Sequence, residues 1–212
     1  MNRTSRQTQK SEGVSALGHT AIPVRGRQRW GAMDLSLIAV FAALLAASIA
    51  VPGINVGPFG VAITLQTLVV AMCGLVLGFA RGTAAVGLYV LLGLIGLPIF
   101  SGFRAGPAVL ASPSAGYIVG FIFGAAVIGL LATLAVRSRW RAAALFGAAM
   151  AGTVVIHVFG IVGFVMKGMN WATAVGADAI YLPGDIIKNV LAVVIALSLH
   201  RAFPDLLVRR QR

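Results

Sequence analysis

Acidic residues are scarce in this chain: of 212 residues, five are Asp or Glu, against 17 Lys and Arg. The single cysteine, Cys73, excludes a disulfide within one chain and is expected to be a small buried hydrophobe. The sequence has no G-x-x-x-x-G-K-[ST] and no Gly-Lys pair, so the chain is not itself a P-loop ATPase. It also shows no paired acids, no Ser or Cys beside a base and no second His or Cys at metal spacing, which argues against an enzyme.

Long apolar segments make up most of the sequence. Hydrophobic residues make up 59% of the chain, charged residues 10%, and the mean hydropathy is +0.95. A membrane core of about 30 Å needs roughly 20 apolar residues per helix. We therefore predict an all-α polytopic membrane protein, a bundle of six transmembrane helices at residues 35–51, 62–80, 83–97, 115–136, 142–165 and 183–199.

The positive charge follows the loops of this predicted bundle. With the N-terminus in the cytoplasm, all but three of the 17 Lys and Arg residues fall on the inside, the exceptions being Arg104, Lys167 and Lys188. The positive-inside rule therefore places both termini in the cytoplasm and explains the charge without nucleic acid. We predict a disordered basic tail at residues 1–30, the membrane domain at residues 31–203 and a second basic tail at residues 204–212.

The stretch YLPGDIIK, residues 181–188, places two opposite charges at the start of the last predicted helix. Pro183 suits a first helical turn, and Asp185 complements the positive end of the helix dipole. Lys188 opposes that dipole and needs a partner. Two interpretations stay open: an internal ion pair at a spacing of three, or a ligand site. In a ligand site, Lys188 and the helix N-terminus would attract a carboxylate, while Asp185 would accept hydrogen bonds from N–H groups of the same ligand.

Polar and aromatic residues near the same side of the membrane extend this candidate site. Gln66, near the outer end of the second span, is assigned equally to ligand contact and to a bond between helices. Tyr89 and Tyr117 offer aromatic walls with a polar tip. His157, in the middle of the fifth span, is expected to be a hydrogen-bonded interior residue and is left outside the site.

The connection between the third and fourth spans, LGLIGLPIFSGFRAGPAVLASPSAGY, is long and interrupted by Gly and Pro. Its apolar side chains are unsuited to a solvated connector, so we predict that residues 100–110 form a lid over the site. Arg104 lies in this lid and is a candidate for binding a carboxylate.

Small residues recur every four positions along the first span, which allows another helix to approach closely. Two adjacent alanine rows exceed what one neighbouring helix within the chain needs, so one face is predicted to dock another membrane protein. The rows are Ala39, Ala43 and Ala47, and Ala42, Ala46 and Ala50.

Four motifs in this order resemble the BioY family, the biotin-specific S components of energy-coupling-factor transporters: TLQTL at 64–68, LYVLLGLIGLPIF at 88–100, GY at 116–117 and LPGDIIK at 182–188. The likeness covers residues 35–203. The sequence departs from the family at two places. SPSAGY stands where the family more often has a GPTGGY-like stretch, and the lid has Arg104 where a polar amide is expected nearby.

The resemblance implies a six-helix S component of the bacterial plasma membrane that captures biotin from outside and has no cofactor. A transmembrane T component would dock on Ala39, Ala43 and Ala47, and two ATPase partners would use ATP. Asp185 and Lys188 would line the vitamin site. The competing hypotheses are a proton-coupled secondary transporter in which Asp185 titrates, and a membrane-embedded enzyme.

Overall fold

The computed structural model describes residues 30–51, 53–55, 61–204 and 207. The two predicted basic tails, residues 1–30 and 204–212, lie outside these ranges apart from Trp30, Pro204 and Leu207.

The described part of the chain is helical, as predicted, with one small addition. Residues Ile54–Asn55 (β1) and Ala62–Ile63 (β2) pair as an antiparallel hairpin, which was not predicted. Helix α2 therefore begins at Gln66 rather than at the predicted residue 62. Short 3-10 helices occupy Ser48–Ala50 and Pro107–Ala111. The α-helices are α1 Ala32–Ala47, α2 Gln66–Leu94, α3 Ala115–Ala135, α4 Arg141–Met166, α5 Trp171–Ala179 and α6 Leu182–Ala202.

Five of these helices, α1, α2, α3, α4 and α6, are long and apolar enough to cross a membrane. Helix α2 covers most of two predicted spans, residues 62–80 and 83–97, without a loop between them. At Gly78 its backbone has φ 77° and ψ −171°, a conformation open essentially only to glycine. The helix is thus interrupted by a single non-helical residue, which lies inside the first of these predicted spans.

The two arms of α2, residues 66–77 and 79–94, run antiparallel. The Gln66 amide donates to the Tyr89 hydroxyl, although a straight helix would separate these residues by roughly 35 Å at 1.5 Å per residue. The arms cross closely at Gly82, where an added Cβ would lie 2.5 Å from the Cys73 carbonyl oxygen. Gly78 therefore turns the chain back on itself, and Gly82 allows the arms to touch.

Glycines also allow α3 to pack between α2 and α4. A Cβ at Gly74 would lie 2.6 Å from Ile128, and a Cβ at Gly124 would lie 2.5 Å from Ile156. Cys73 is fully buried beside this contact, which confirms the prediction that it is a small interior hydrophobe. In lipid, burial of apolar surface does not drive helices together, so close packing through small residues stabilises the bundle instead.

Helix α5 was not predicted and lies in what was expected to be the loop before the last span. The side chain of Asn170 caps this helix, because its Oδ1 accepts a hydrogen bond from the Thr173 backbone N–H at 2.9 Å. Near its end, α5 carries Asp178, which is buried. This short helix thus brings a carboxylate into the bundle beside the start of α6.

Helix α1 contacts α2 with one face and leaves the other uncovered. Ile38, Phe41, Ala42 and Leu45 are buried. The row Ala39, Ala43 and Ala47 is exposed, as a docking face requires. That row is therefore free of contacts that would bury it within the described residues.

Candidate functional site

A pocket lies among the β-hairpin, the first turn of α2, residues 101–104 and the starts of α3 and α6. It encloses about 650 Å³ of space not filled by atoms, part of it open to solvent. Five predicted site residues line it together: Gln66, Arg104, Tyr117, Asp185 and Lys188. Apolar side chains complete the wall, namely Val61, Ala62, Ile63, Ile118, Phe121 and Ile156.

Asp185 and Lys188 form an ion pair and line the pocket at the same time. The Lys188 Nζ donates to Asp185 Oδ1 at 3.0 Å and to Thr67 Oγ1 at 3.1 Å. The Thr67 hydroxyl in turn donates to Asp185 Oδ1 at 2.7 Å. The two alternatives left open by the sequence are therefore compatible: the pair is internally bonded, and its atoms still face the pocket.

The other oxygen of Asp185 contacts His157 behind the pocket wall. His157 Nε2 lies 3.1 Å from Asp185 Oδ2, and His157 Nδ1 lies 2.7 Å from Asp178 Oδ1. The Tyr117 hydroxyl donates to the same Asp178 oxygen at 2.6 Å. A continuous polar network thus joins α3, α4, α5 and α6 beneath the pocket. His157 is an interior hydrogen-bonded residue, as predicted.

Gln66 is held in place from two sides. Its Nε2 donates to the Tyr89 hydroxyl, and its Oε1 accepts from Thr64 Oγ1 at 3.1 Å. Tyr89 donates to the Ile99 carbonyl at 3.0 Å and is fully buried. The structure therefore places Tyr89 behind the pocket wall, not in its lining, and gives Gln66 both a bond between the two arms of α2 and a position at the pocket.

Arg104 belongs to a tight turn closed by reciprocal backbone bonds between Phe100 and Arg104, at 3.1 and 3.2 Å. Its Nε donates to the Ser101 carbonyl at 3.0 Å and its Nη2 to Ser114 Oγ at 2.8 Å. Phe100 is fully buried and Val109 nearly so, which anchors the predicted lid to the bundle, while Ser101 and Arg104 of the same segment line the pocket.

The charges of the pocket do not cancel. Its described lining contains Arg104, Lys188 and one carboxylate, Asp185. Asp185 is bonded to Lys188, and no carboxylate in the described ranges lies within salt-bridge distance of Arg104. The pocket therefore carries one excess positive charge, located at Arg104, which suits an anionic ligand.

Tyr181 closes the pocket beside Tyr117, with ring centroids 6.0 Å apart in an edge-on arrangement. Its hydroxyl donates to the Val61 carbonyl at 3.0 Å and so ties the start of α6 to the β-hairpin. Burial and the neighbouring charge of Asp178 raise the pKa of Tyr181, which keeps the phenol neutral and able to donate.

Three contributors to this site were not predicted from the sequence: Thr67, Asp178 and Tyr181. Threonines in membrane helices usually bond their own backbone, and Thr67 bonds α6 instead. Asp178 did carry a signal, because it is one of five acidic residues and lies in an apolar stretch. No grouping of three His, Cys, Asp or Glu that fits a metal ion occurs in the residues described.

Comparison with known proteins agrees with this architecture. The family model described as the BioY family matches residues 19–205. A biotin transporter BioY of Rhizobium etli is 41% identical over 83% of this chain and 97% of its own length. One from Rhodobacter capsulatus is 37% identical over 84% of this chain and 98% of its own length.

A solved structure is also similar. It is the crystal structure of the S-component for biotin from an ECF-type ABC transporter, with a TM-score of 0.76 and 28% identity, covering 80% of this chain and 91% of that one. The match in sequence along most of the chain, together with the match in fold, shows that this chain belongs to the BioY family.

Proposed function

We propose that this chain is the biotin-binding S component of an ATP-driven ECF-type vitamin uptake transporter. The observation that carries the proposal is the pocket at the start of α6, where the Asp185–Lys188 pair and the separate cation Arg104 face one apolar-walled space. Relatives named as biotin transporters and the similar S-component for biotin support it.

Biotin matches the polar groups of this pocket at both ends. Its ureido ring offers N–H donors and a carbonyl acceptor, and its side chain ends in a carboxylate. Asp185 accepts from a ureido N–H group, while Lys188, already beside that carboxylate, donates to the ureido carbonyl. Gln66 supplies a further polar contact, and Tyr117 and the apolar wall pack on the ring system.

Arg104 then binds the ligand carboxylate. This assignment differs from the one first derived from the sequence, in which Lys188 and the helix N-terminus held the carboxylate. The reason is charge balance: Lys188 is 3.0 Å from Asp185, whereas Arg104 donates to neutral oxygens, the Ser101 carbonyl and Ser114 Oγ. The ligand carboxylate is therefore stabilised more by Arg104, whose charge is not compensated, than by Lys188.

The same proposal covers topology and partners. The crossings are α1, the two arms of α2, α3, α4 and α6, which makes six with both termini in the cytoplasm of a bacterium. The exposed row Ala39, Ala43 and Ala47 docks the transmembrane T component in the plasma membrane. ATP is hydrolysed by the ATPase partners alone, and the chain is not an enzyme and uses no cofactor.

Isothermal titration of the full-length protein in lipid nanodiscs with biotin tests the proposal. We expect saturable one-site binding that Asp185→Asn weakens and Ile187→Ala leaves unchanged. Ile187 is a matched control because it lies on the same turn of α6 but is 71% exposed on the outer surface. Absence of saturable binding by the folded protein would reject the function.

Uptake measurements address the alternative of a proton-coupled secondary transporter. Biotin uptake by cells that contain this chain should require the ATPase partners. Uptake that persists without them and is abolished by an uncoupler would favour the secondary transporter instead.

A further inference from the structure

His157 and Asp178 lie directly behind the pocket wall without lining it. Both are about 95% buried, and neither belongs to the pocket surface. Each nevertheless bonds a residue that does line the pocket: His157 contacts Asp185, and Asp178 accepts from Tyr117. These two residues thus connect the pocket side chains of α3 and α6 through the interior.

The hydrogen bonds of this network define its charge. An ionised carboxylate only accepts hydrogen bonds, so a ring nitrogen that bonds one must donate. His157 has a carboxylate oxygen at 2.7 Å from Nδ1 and another at 3.1 Å from Nε2, so with both carboxylates ionised it bonds them as the imidazolium. With Lys188 at 3.0 Å from Asp185, the network holds two cations and two anions and is neutral.

The orientation of Asp185 depends on this arrangement. Its Oδ1 is bonded by Thr67 and Lys188, and its Oδ2 by His157. A carboxylate has about four lone-pair directions, so three contacts fix the plane and leave one direction for a ligand donor. Removing His157 frees one oxygen and also leaves two buried carboxylates facing a single cation, Lys188.

We propose that His157 and Asp178 are positioning residues that set the affinity for ligand by orienting Asp185 and Tyr117 and by keeping the buried network neutral. This inference rests on the proposed function. Neither residue touches the ligand. Their effect on binding passes through Asp185, which presents its free lone pair to a ureido N–H group, and through Tyr117, whose ring faces the bound ring system.

The test is a set of variants titrated with biotin in nanodiscs, with the melting temperature recorded for each. His157→Gln should weaken binding by about ten- to hundredfold, the range for one charge-assisted hydrogen bond. The variant that also carries Asp178→Asn should bind several-fold more tightly than His157→Gln alone, because it restores neutrality with one anion beside Lys188. Added to Asp185→Asn, His157→Gln should cause little further loss.

Thr153→Val is the matched control for packing between α4 and α6. It removes the 2.8 Å bond from Asn189 Nδ2 to Thr153 Oγ1, which joins the same two helices one turn deeper. We expect a lower melting temperature with unchanged affinity. If Thr153→Val weakened binding as much as His157→Gln, general packing would explain the effect and the proposal would be overturned.

Two other results would also overturn it: unchanged affinity in folded His157→Gln, or losses from His157→Gln and Asp185→Asn that simply add. If His157→Gln does not fold, Asp178→Asn alone takes its place, and its loss must likewise not add to that of Asp185→Asn. Failure of the wild-type protein to bind biotin is a separate result that rejects the proposed function itself.

Discussion

Replacement of Arg104 by methionine tests the assignment of the two ends of the ligand. The Arg104 Nε donates to the Ser101 carbonyl and Nη2 donates to Ser114 Oγ, so the other guanidinium N–H groups remain for a carboxylate. A hydrogen bond to a charged group contributes about 1.5 to 3 kcal/mol. Because Arg104 is only half-buried, solvent screening places the loss near the lower end, or about tenfold in affinity.

Biotin methyl ester separates this charge effect from general damage to the pocket. Arg104→Met should weaken biotin by about tenfold and leave the affinity for the uncharged ester nearly unchanged. Lys188→Met and Asp185→Asn should weaken both ligands alike, because their contacts are with the ureido ring that both ligands share. Arg104→Lys, which keeps the charge but loses the planar fork, should fall between wild type and Arg104→Met.

Isothermal titration of the wild type and the four variants with both ligands measures these effects, and melting temperatures show whether each variant is folded. Equal losses of biotin and ester in Arg104→Met would refute the reasoning from charge balance. A selective loss of biotin in Lys188→Met would instead return the carboxylate to Lys188, as the sequence first indicated.

Three further predictions concern docking, the lid and the α2 turn. Ala43→Trp on the exposed face of α1 should block association with the T component in a pull-down while biotin binding survives, and Leu134→Trp on the exposed side of α3 is the control. Loss of biotin binding as well would mean that the alanine row serves internal packing. Biotin should slow hydrogen exchange in residues 100–110 but not in residues 136–140, and equal exchange with and without ligand would mean that the segment does not respond. Gly82→Ala should lower the free energy of unfolding by about 1–3 kcal/mol, since its Cβ would lie 2.5 Å from the Cys73 carbonyl oxygen, whereas Gly87→Ala in the same arm, with nothing within 4 Å of its Cβ, should not. Similar melting temperatures of the two variants would contradict the close crossing of the two arms of α2.

Much of the fold could be predicted because it depends on local composition. Apolar runs locate the membrane helices to within a few residues, and Pro183 marks the first turn of α6. The Gly78 turn was not predicted, because a glycine within an apolar run has the same hydropathy pattern whether the helix continues or reverses. The β-hairpin and α5 were missed since each is too short to show a periodic pattern.

The sequence by itself determined the helical membrane class and the family. It also placed Asp185 and Lys188 within reach of each other, because a spacing of three puts both on one helical face, and the structure shows them paired. The tertiary structure alone decided the rest of the site. Thr67 meets Asp185 across 118 residues, and Tyr117 meets Asp178 across 61. No local pattern encodes such contacts, because they exist only once α2 has turned at Gly78 and α5 has carried Asp178 into the bundle.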